Sequence, residues 1–145
     1  MNRIQIWNLL AQRARARAND ALTLLRKARQ RIESLEKSAV RLDELHADYL
    51  ARLQAIQGQP HSISENMNCR RYLAHVEDLK HKLSQTRAVA EDEFRKTEQT
   101  HRELEADRVK MKHLADNAEK AERRKMAIHE QAQLEKLAIA RFNLR

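Results

Sequence analysis

Few side chains in this sequence combine the residue types and spacings that catalysis needs. Cys69 is the only thiol, and so the one candidate for a nucleophile or a sulfur ligand. No two of the seven histidines lie four residues apart, the spacing that places two metal ligands on one helix face. Glu91, Asp92 and Glu93 are titratable, but consecutive helical positions point to different faces. We therefore predict that the protein is not an enzyme and holds no metal or cofactor.

Clustered basic side chains offer a second kind of chemistry, the ionic binding of an anionic partner. The formal net charge is +8, and residues 1–40 contain nine Arg or Lys against three Asp or Glu. The basic residues concentrate in three runs: Arg13, Arg15 and Arg17; Arg26, Lys27, Arg29 and Arg31; and Lys120, Arg123, Arg124 and Lys125. Such clusters attract nucleic acid, an anionic membrane surface or an acidic protein surface.

The neighbouring residues help to separate these three partners. Proteins that bind single-stranded nucleic acid stack bases on aromatic rings, but no aromatic residue lies between Trp7 and Tyr49. A helix that lies on a membrane needs bulky apolar anchors beside its arginines, whereas residues 11–21 are rich in alanine. An acidic protein surface is therefore favoured. Non-specific contact with phosphates, or a solvated surface with no partner, is the alternative.

The elements that must position these side chains are long helices. Charged residues make up 34% of the chain and aromatic residues only 3%, and there is one glycine and one proline. Because so few large side chains cannot fill a compact core, the apolar surface must be buried along a line. Steps of three and four residues define a seam of sixteen positions: Ile4, Trp7, Ala11, Ala14, Ala18, Ala21, Leu25, Ala28, Ile32, Leu35, Ala39, Leu42, His46, Tyr49, Leu53 and Ile56. This constant phase predicts one coiled-coil helix over about residues 3–57.

A second helix is predicted over about residues 63–141. One row of positions spaced by seven runs along it: Cys69, Val76, Leu83, Ala90, Thr97, Leu104, Met111, Ala118, Lys125, Ala132 and Ile139. Its companion row is less regular and contains Tyr72, Leu79, Phe94, His101, Leu114, Ala121 and Ile128. Because Phe94 and His101 are one position out of phase with the others, we predict a local change of packing near the middle of this helix.

The only glycine and the only proline lie together between the two predicted helices. Gly58 suits a helix end, and Pro60 cannot continue a helix. Ser62 and Glu65 have the spacing of a capping box that restarts one. We therefore predict a bend at about residues 58–62 in a single all-α domain, in which two long helices form an antiparallel coiled-coil hairpin. The short connection favours this monomeric hairpin over the alternative of two chains packed side by side.

The second predicted helix is longer than the first. Folding the chain about residue 60 places Ile4 opposite the neighbourhood of Ala118, which leaves about 25 residues of the second helix without an internal partner. This segment is still amphipathic, with Ile128, Ile139 and Phe142 near one face. It is predicted to be either a frayed tail or a surface that docks onto another protein.

Three stretches carry a resemblance to a known family: LDELHADYLARLQ before the bend, ISENMNCRRYLAHVEDLKHKL after it, and EQAQLEKLAIAR near the end. Together with the length and the two unequal helices, they resemble the small helical-hairpin stalk proteins of bacterial type III export. These are FliJ in flagella and its YscO-like counterparts in injectisomes. The resemblance covers nearly the whole chain and leaves the flagellar and injectisome assignments open.

The resemblance implies a non-catalytic central stalk or adaptor. Its terminal end would enter a hexameric export ATPase, with contacts expected at Arg13, Arg15, Arg17, Arg123, Arg124, Ile128, Ile139 and Phe142. A second contact, with the export-gate membrane protein, would involve Tyr72, Val76, Leu79 and Leu83. Whether that second stripe is buried seam or exposed surface is left open by its spacing, with Tyr72 expected to protrude.

The same resemblance implies a cytoplasmic protein that associates peripherally with the export apparatus at the inner membrane. Binding of export chaperones is left open. Two other functions compete with the stalk: a basic coiled-coil scaffold that binds nucleic acid non-specifically, and a structural spacer. Nucleic-acid binding would weaken steeply with ionic strength, which separates it from the stalk.

Overall fold

The computed structural model describes residues 2–57 and 63–144, and almost all of them belong to two α-helices. α1 covers Arg3–Gln57 and α2 covers Ile63–Asn143. The described ranges contain no strand, and the two helices pack against each other. The predicted all-α helical hairpin is confirmed. The bend predicted at residues 58–62, with Gly58, Pro60 and Ser62, lies outside the described residues.

A reciprocal cap begins α1. The side-chain oxygen of Asn2 accepts a hydrogen bond from the backbone N–H of Gln5 at 2.9 Å, and the side-chain oxygen of Gln5 accepts one from the backbone N–H of Asn2 at 3.1 Å. Two backbone donors that a helix start leaves without an intrahelical partner are thereby satisfied. The cap explains why α1 begins at Arg3.

The chain divides into two compact units. We call Met1–Ala21 with Thr100–Arg145 the terminal unit, and Leu22–Gln99 the central unit. Among the described residues of the terminal unit, the buried side chains are all alanines: Ala14, Ala18, Ala21 and Ala115. In the central unit they are Cys69, Leu73, Val76 and Ala90. Burial of apolar area stabilises by ~25 cal/mol per Å², so the alanine seam contributes less per position than the seam of larger side chains.

The seam predicted for α1 is the one that the structure buries. All sixteen predicted positions are buried or partly buried. Only two other residues of α1 are equally shielded, Leu22 and Ser38. A constant step of three and four residues therefore describes how α1 packs from its first turn to its last.

The predicted companion row of α2 is one residue out of register at Tyr72 and Leu79, whereas its members Phe94 and His101 lie in the row that packs. The row that packs with Cys69, Val76 and the positions that follow them is one residue later than Tyr72 and Leu79. Its buried or partly buried members are Leu73, Lys80, Arg87, Phe94, His101, Arg108 and Ala115. Because they are spaced by seven without interruption, the predicted local change of packing near the middle of α2 is also wrong.

Charged side chains conceal this row in the sequence. Lys80, Arg87 and Arg108 occupy positions that an apolar pattern assigns to the surface. Long basic side chains can bury their methylene groups along a seam and keep the charged end at its edge. Lys80 does so with its side chain 38% exposed and Arg108 with 31%. A pattern based on apolar residues alone therefore places Tyr72 in the packed row, although that side chain is 56% exposed.

The burial pattern predicts different costs for two valine substitutions in α2. Val76 is 2% exposed and Val89 is 60% exposed. Val76→Ala should lower the free energy of unfolding by about 1–2 kcal/mol, because it removes two packed methyl groups and leaves a cavity. Val89→Ala should change it by less than about 0.5 kcal/mol. Urea unfolding followed by circular dichroism measures both, and equal effects would contradict this packing.

Candidate interaction surfaces

Within the described residues, no helix packs against the last part of α2. In the terminal unit, Ile4 and Trp7 of α1 line a groove together with Leu114, Ala118 and Ala121 of α2. α1 therefore begins beside Ala118, as predicted. From residue 121 to residue 144 every side chain is exposed. We call residues 121–144 the overhang.

The overhang is rich in apolar side chains that nothing in the described chain covers. Ile128 is 70% exposed, Ile139 is 61% exposed and Phe142 is 80% exposed. Other large apolar side chains there are more than half exposed: Met126, Leu134, Leu137 and Leu144. Isolated exposed apolar residues are ordinary, but seven in one segment of a single helix form a surface.

Most apolar side chains of the overhang do not continue the α1–α2 seam. The same step of three and four residues from Ala118 reaches three polar residues, Glu122, Lys125 and His129, before it reaches Ala132 and Ile139. Ile128 lies eleven residues before Ile139, close to three helical turns, and shares its face. Met126 and Leu137 have the same spacing two residues earlier, which places them on a different face. The overhang is therefore apolar on more than one side.

The five arginines predicted to contact the ATPase lie in the terminal unit and are exposed. Arg123 donates to Glu119 at 2.8 Å. Within the described residues, Arg13, Arg15 and Arg17 have no carboxylate within ion-pair distance. Arg124 also has none there. Most of the cationic charge predicted for this surface is thus not neutralised by the protein itself.

The four residues predicted to contact an export gate do not form one exposed stripe. Val76 is buried at 2% exposure, and Leu79 and Leu83 are partly buried. Tyr72 protrudes as expected, and its ring stacks on that of Tyr49 with centroids 5.2 Å apart and an interplanar angle of 4°. The available part of this predicted surface is therefore the Tyr72 side chain.

Tyr49 is held from two sides besides the stack. The guanidinium of Arg52 lies 5.4 Å from the centroid of the Tyr49 ring, within cation–π range. The Cys69 thiol donates to the backbone carbonyl of Tyr49 at 3.3 Å. Cys69 is buried, and this contact gives it a structural role at the α1–α2 seam.

Cross-helix pairs at the edge of the seam repeat regularly in the central unit. We call each pair of residues facing across the seam a rung. The guanidinium of Arg29 lies 5.8 Å from the Phe94 ring, a carboxylate oxygen of Glu36 lies 3.2 Å from an Arg87 nitrogen, and an Asp43 oxygen lies 3.0 Å from Lys80 Nζ. Each step of seven along α1 is matched by a step of seven back along α2, as antiparallel helices require. The complementary charges are present in the sequence at heptad spacing, but a pattern of apolar positions alone does not reveal them.

Two further polar contacts support the central rungs. His46, the one polar residue of the α1 seam, lies 3.4 Å from a carboxylate oxygen of Glu77. Arg87 also contacts Glu91 one turn later on α2, at 3.3 Å. Arg87 therefore joins a carboxylate of each helix. Exposed pairs of this kind each contribute little to stability, and their spacing agrees with the register of the seam.

Arg108 of the terminal unit is paired differently. Its guanidinium Nε donates to both carboxylate oxygens of Glu105 on the same helix, at 3.0 Å. These hydrogen bonds and the positive charge of Arg108 hold the pKa of the Glu105 carboxyl below its usual value. The same carboxylate raises the pKa of Arg108. Glu105 thus remains ionised at neutral pH and occupies one edge of the Arg108 guanidinium.

Neither a metal site nor a membrane-spanning helix is found within residues 2–57 and 63–144. No group of three or more His, Cys, Asp or Glu side chains there is placed to hold a metal ion. None of the helices, over the same residues, has an apolar stretch long enough to cross a bilayer.

Comparison with known proteins places the chain in a family. The family model described as flagellar FliJ protein matches residues 7–145, nearly the whole chain. No curated protein and no solved structure matches the chain significantly. The family match covers both helices, including the overhang. The chain therefore belongs to the flagellar FliJ protein family, and it is a protein of the flagellar export apparatus.

Proposed function

We propose that this protein is a non-catalytic stalk that binds a hexameric export ATPase through its terminal unit and contacts the export gate through the neighbourhood of Tyr72. It acts by binding energy, favouring the assembled or active state of the ATPase ring, with no bond chemistry of its own. The proposal places a monomer in the cytoplasm, at the inner-membrane export apparatus. Export chaperones are further possible partners.

The overhang is the observation that carries this proposal. A helix with one apolar face fits a groove, but a helix that is apolar on more than one side needs a partner that surrounds it. The central opening of a ring of subunits can supply such an environment. The overhang, with Ile128, Ile139 and Phe142, is therefore assigned to the ATPase contact.

The arginines support the same assignment. Arg13, Arg15 and Arg17 are exposed and carry charge that no carboxylate of the described chain neutralises. Hydrogen bonds between guanidinium groups and carboxylates are among the strongest surface contacts and add specificity to an interface. The alanine seam of the terminal unit also keeps the helix pair slim, since Ala14, Ala18 and Ala21 let the two backbones approach closely. Arg123 and Arg124 extend the basic surface along α2.

The second contact is assigned to Tyr72 and not to the whole predicted stripe. Val76 and Leu83 pack in the seam, and they hold α2 in the orientation that exposes Tyr72. An aromatic ring that is half exposed and stacked on a second ring is preorganised for binding, because little side-chain entropy is lost on contact. The ATPase and gate contacts lie in different units and should be separable by mutation.

The overhang gives the sharpest test of the ATPase contact. Changing Ile128, Ile139 and Phe142 together to Gln should abolish co-purification with the hexameric ATPase and stimulation of its ATP hydrolysis. The melting temperature should change little, because all three side chains are exposed. Pull-down and a phosphate-release assay measure the first two effects, and circular dichroism measures the third.

A matched control is available in the central unit. Leu24, Val40 and Val89 are also more than half exposed, and changing them to Gln removes similar apolar surface. This control should keep full ATPase binding and stimulation. Equal loss in both triple variants, or retained stimulation in the overhang variant, would contradict the assignment.

Tyr72→Ala tests the gate contact. The variant should lose binding to the cytoplasmic part of the export-gate protein and keep binding to the ATPase, because Tyr72 belongs to the central unit. Met67→Ala is the control, since Met67 is 50% exposed on the same helix. Surface plasmon resonance with each purified partner measures both interactions. Undiminished gate binding by Tyr72→Ala would exclude this residue from the contact.

A further inference from the structure

The central unit shows what a rung of this helix pair requires. Arg87 and Lys80 of α2 each meet a carboxylate of α1, Glu36 and Asp43. The basic member sits at a seam position of α2, and the acidic member reaches it from α1. A carboxylate on the α1 side is therefore what completes a rung that has a basic residue on α2.

The terminal unit lacks that carboxylate. Three further steps of seven along each helix, counted from the rung of Glu36 and Arg87, reach Arg15 on α1 and Arg108 on α2. α1 contains no Asp or Glu before Asp20, so nothing on that helix can replace the missing acid. Two cations at a rung position repel each other where a carboxylate would attract. The turn of Arg108 towards Glu105 on its own helix relieves this repulsion only in part.

A cleft surrounds this incomplete rung. Its volume is about 670 Å³, and Arg15, Arg108, Lys112, Glu105 and Asp116 line it. Ala11 and Ala115 also line it, and their small side chains leave it unfilled. Glu105 is already bound to Arg108, which leaves Arg15 and Lys112 facing a single further carboxylate, Asp116. Arg13 and Arg17 do not line the cleft.

We propose that this cleft binds an aspartate or glutamate side chain from an acidic loop of a protein partner, which supplies the carboxylate that the rung of Arg15 and Arg108 lacks. The inference rests on the proposed function, because it specifies how the basic terminal unit is contacted. Arg108 keeps donors free beyond those used by Glu105, and Arg15 has all five. The inserted carboxylate also replaces repulsion between the two helices by attraction, so partner binding tightens the terminal unit.

Hexaglutamate is a suitable probe, titrated into the purified full-length chain at low salt and followed by NMR. The backbone amides of residues 11–19 and 105–116 should shift on binding. Arg15→Gln should weaken the affinity roughly tenfold, the effect of losing one charge-assisted hydrogen bond. Arg13→Gln removes the same charge outside the cleft and should weaken it about twofold or less. Equal weakening by both variants would show general attraction to the basic surface and overturn the proposal.

A second measurement needs no ligand. Arg15→Glu supplies the missing carboxylate from α1 itself, as Glu36 does for Arg87. Amide hydrogen exchange of residues 11–21 should become about two- to fivefold slower, as expected for one added ion pair. Arg13→Glu should leave it unchanged. Unchanged or faster exchange in Arg15→Glu would contradict the incomplete rung.

The nature of the anion is tested in the same titration. A hexathymidylate that shifts the cleft amides as strongly as hexaglutamate, with the same dependence on Arg15, would mean that the cleft takes phosphates and would overturn the carboxylate assignment. These tests use only the purified chain and the probe. Their failure would leave ATPase binding through the overhang standing, and loss of that binding would leave their results unaffected.

Discussion

The packing of α1 against α2 on an unbroken seven-residue repeat is the constraint on which every other feature depends. It buries narrow rows of side chains and leaves the polar groups of residues 2–57 and 63–144 partly or fully exposed. Long basic side chains take part in the repeat by burying their stems. The charged ends then emerge at the edge of the seam, where they can meet carboxylates of the other helix.

Within the same repeat, the two units differ in the size of their buried side chains and in the pairing of their charges. In the central unit, larger buried side chains and complementary rungs hold the two helices in one register. In the terminal unit, small buried side chains accompany a rung without its acid, and Arg13, Arg15 and Arg17 have no ion pair among the described residues. A unit that exposes apolar surface and arginines without ion-pair partners is suited to bind another protein. The overhang is the clearest case, because most of its large apolar residues lie off the seam register and all of them are exposed.

Much of the fold could be predicted from the sequence, because every seam position of α1 except His46 holds an apolar or aromatic residue. The end of α1 beside Ala118 followed from counting residues back from the bend. The register of α2 could not be predicted from apolar residues, because Lys80, Arg87 and Arg108 occupy positions in its packed row. Charged residues are ordinarily expected at the surface. Tyr72 was therefore placed in the packed row, one residue away from Leu73. The arginines and apolar residues predicted for the terminal unit are exposed. The rungs could not be predicted without knowing which residues of the two helices face each other.

The most direct test of the stalk function is co-purification of the tagged full-length protein from native cytosol at moderate salt. Mass spectrometry would identify bound proteins, and the absorbance ratio would detect nucleic acid. The account predicts recovery of a hexameric ATPase or an export-gate protein. Recovery of nucleic acid alone would contradict it and would favour a scaffold that binds phosphates without specificity.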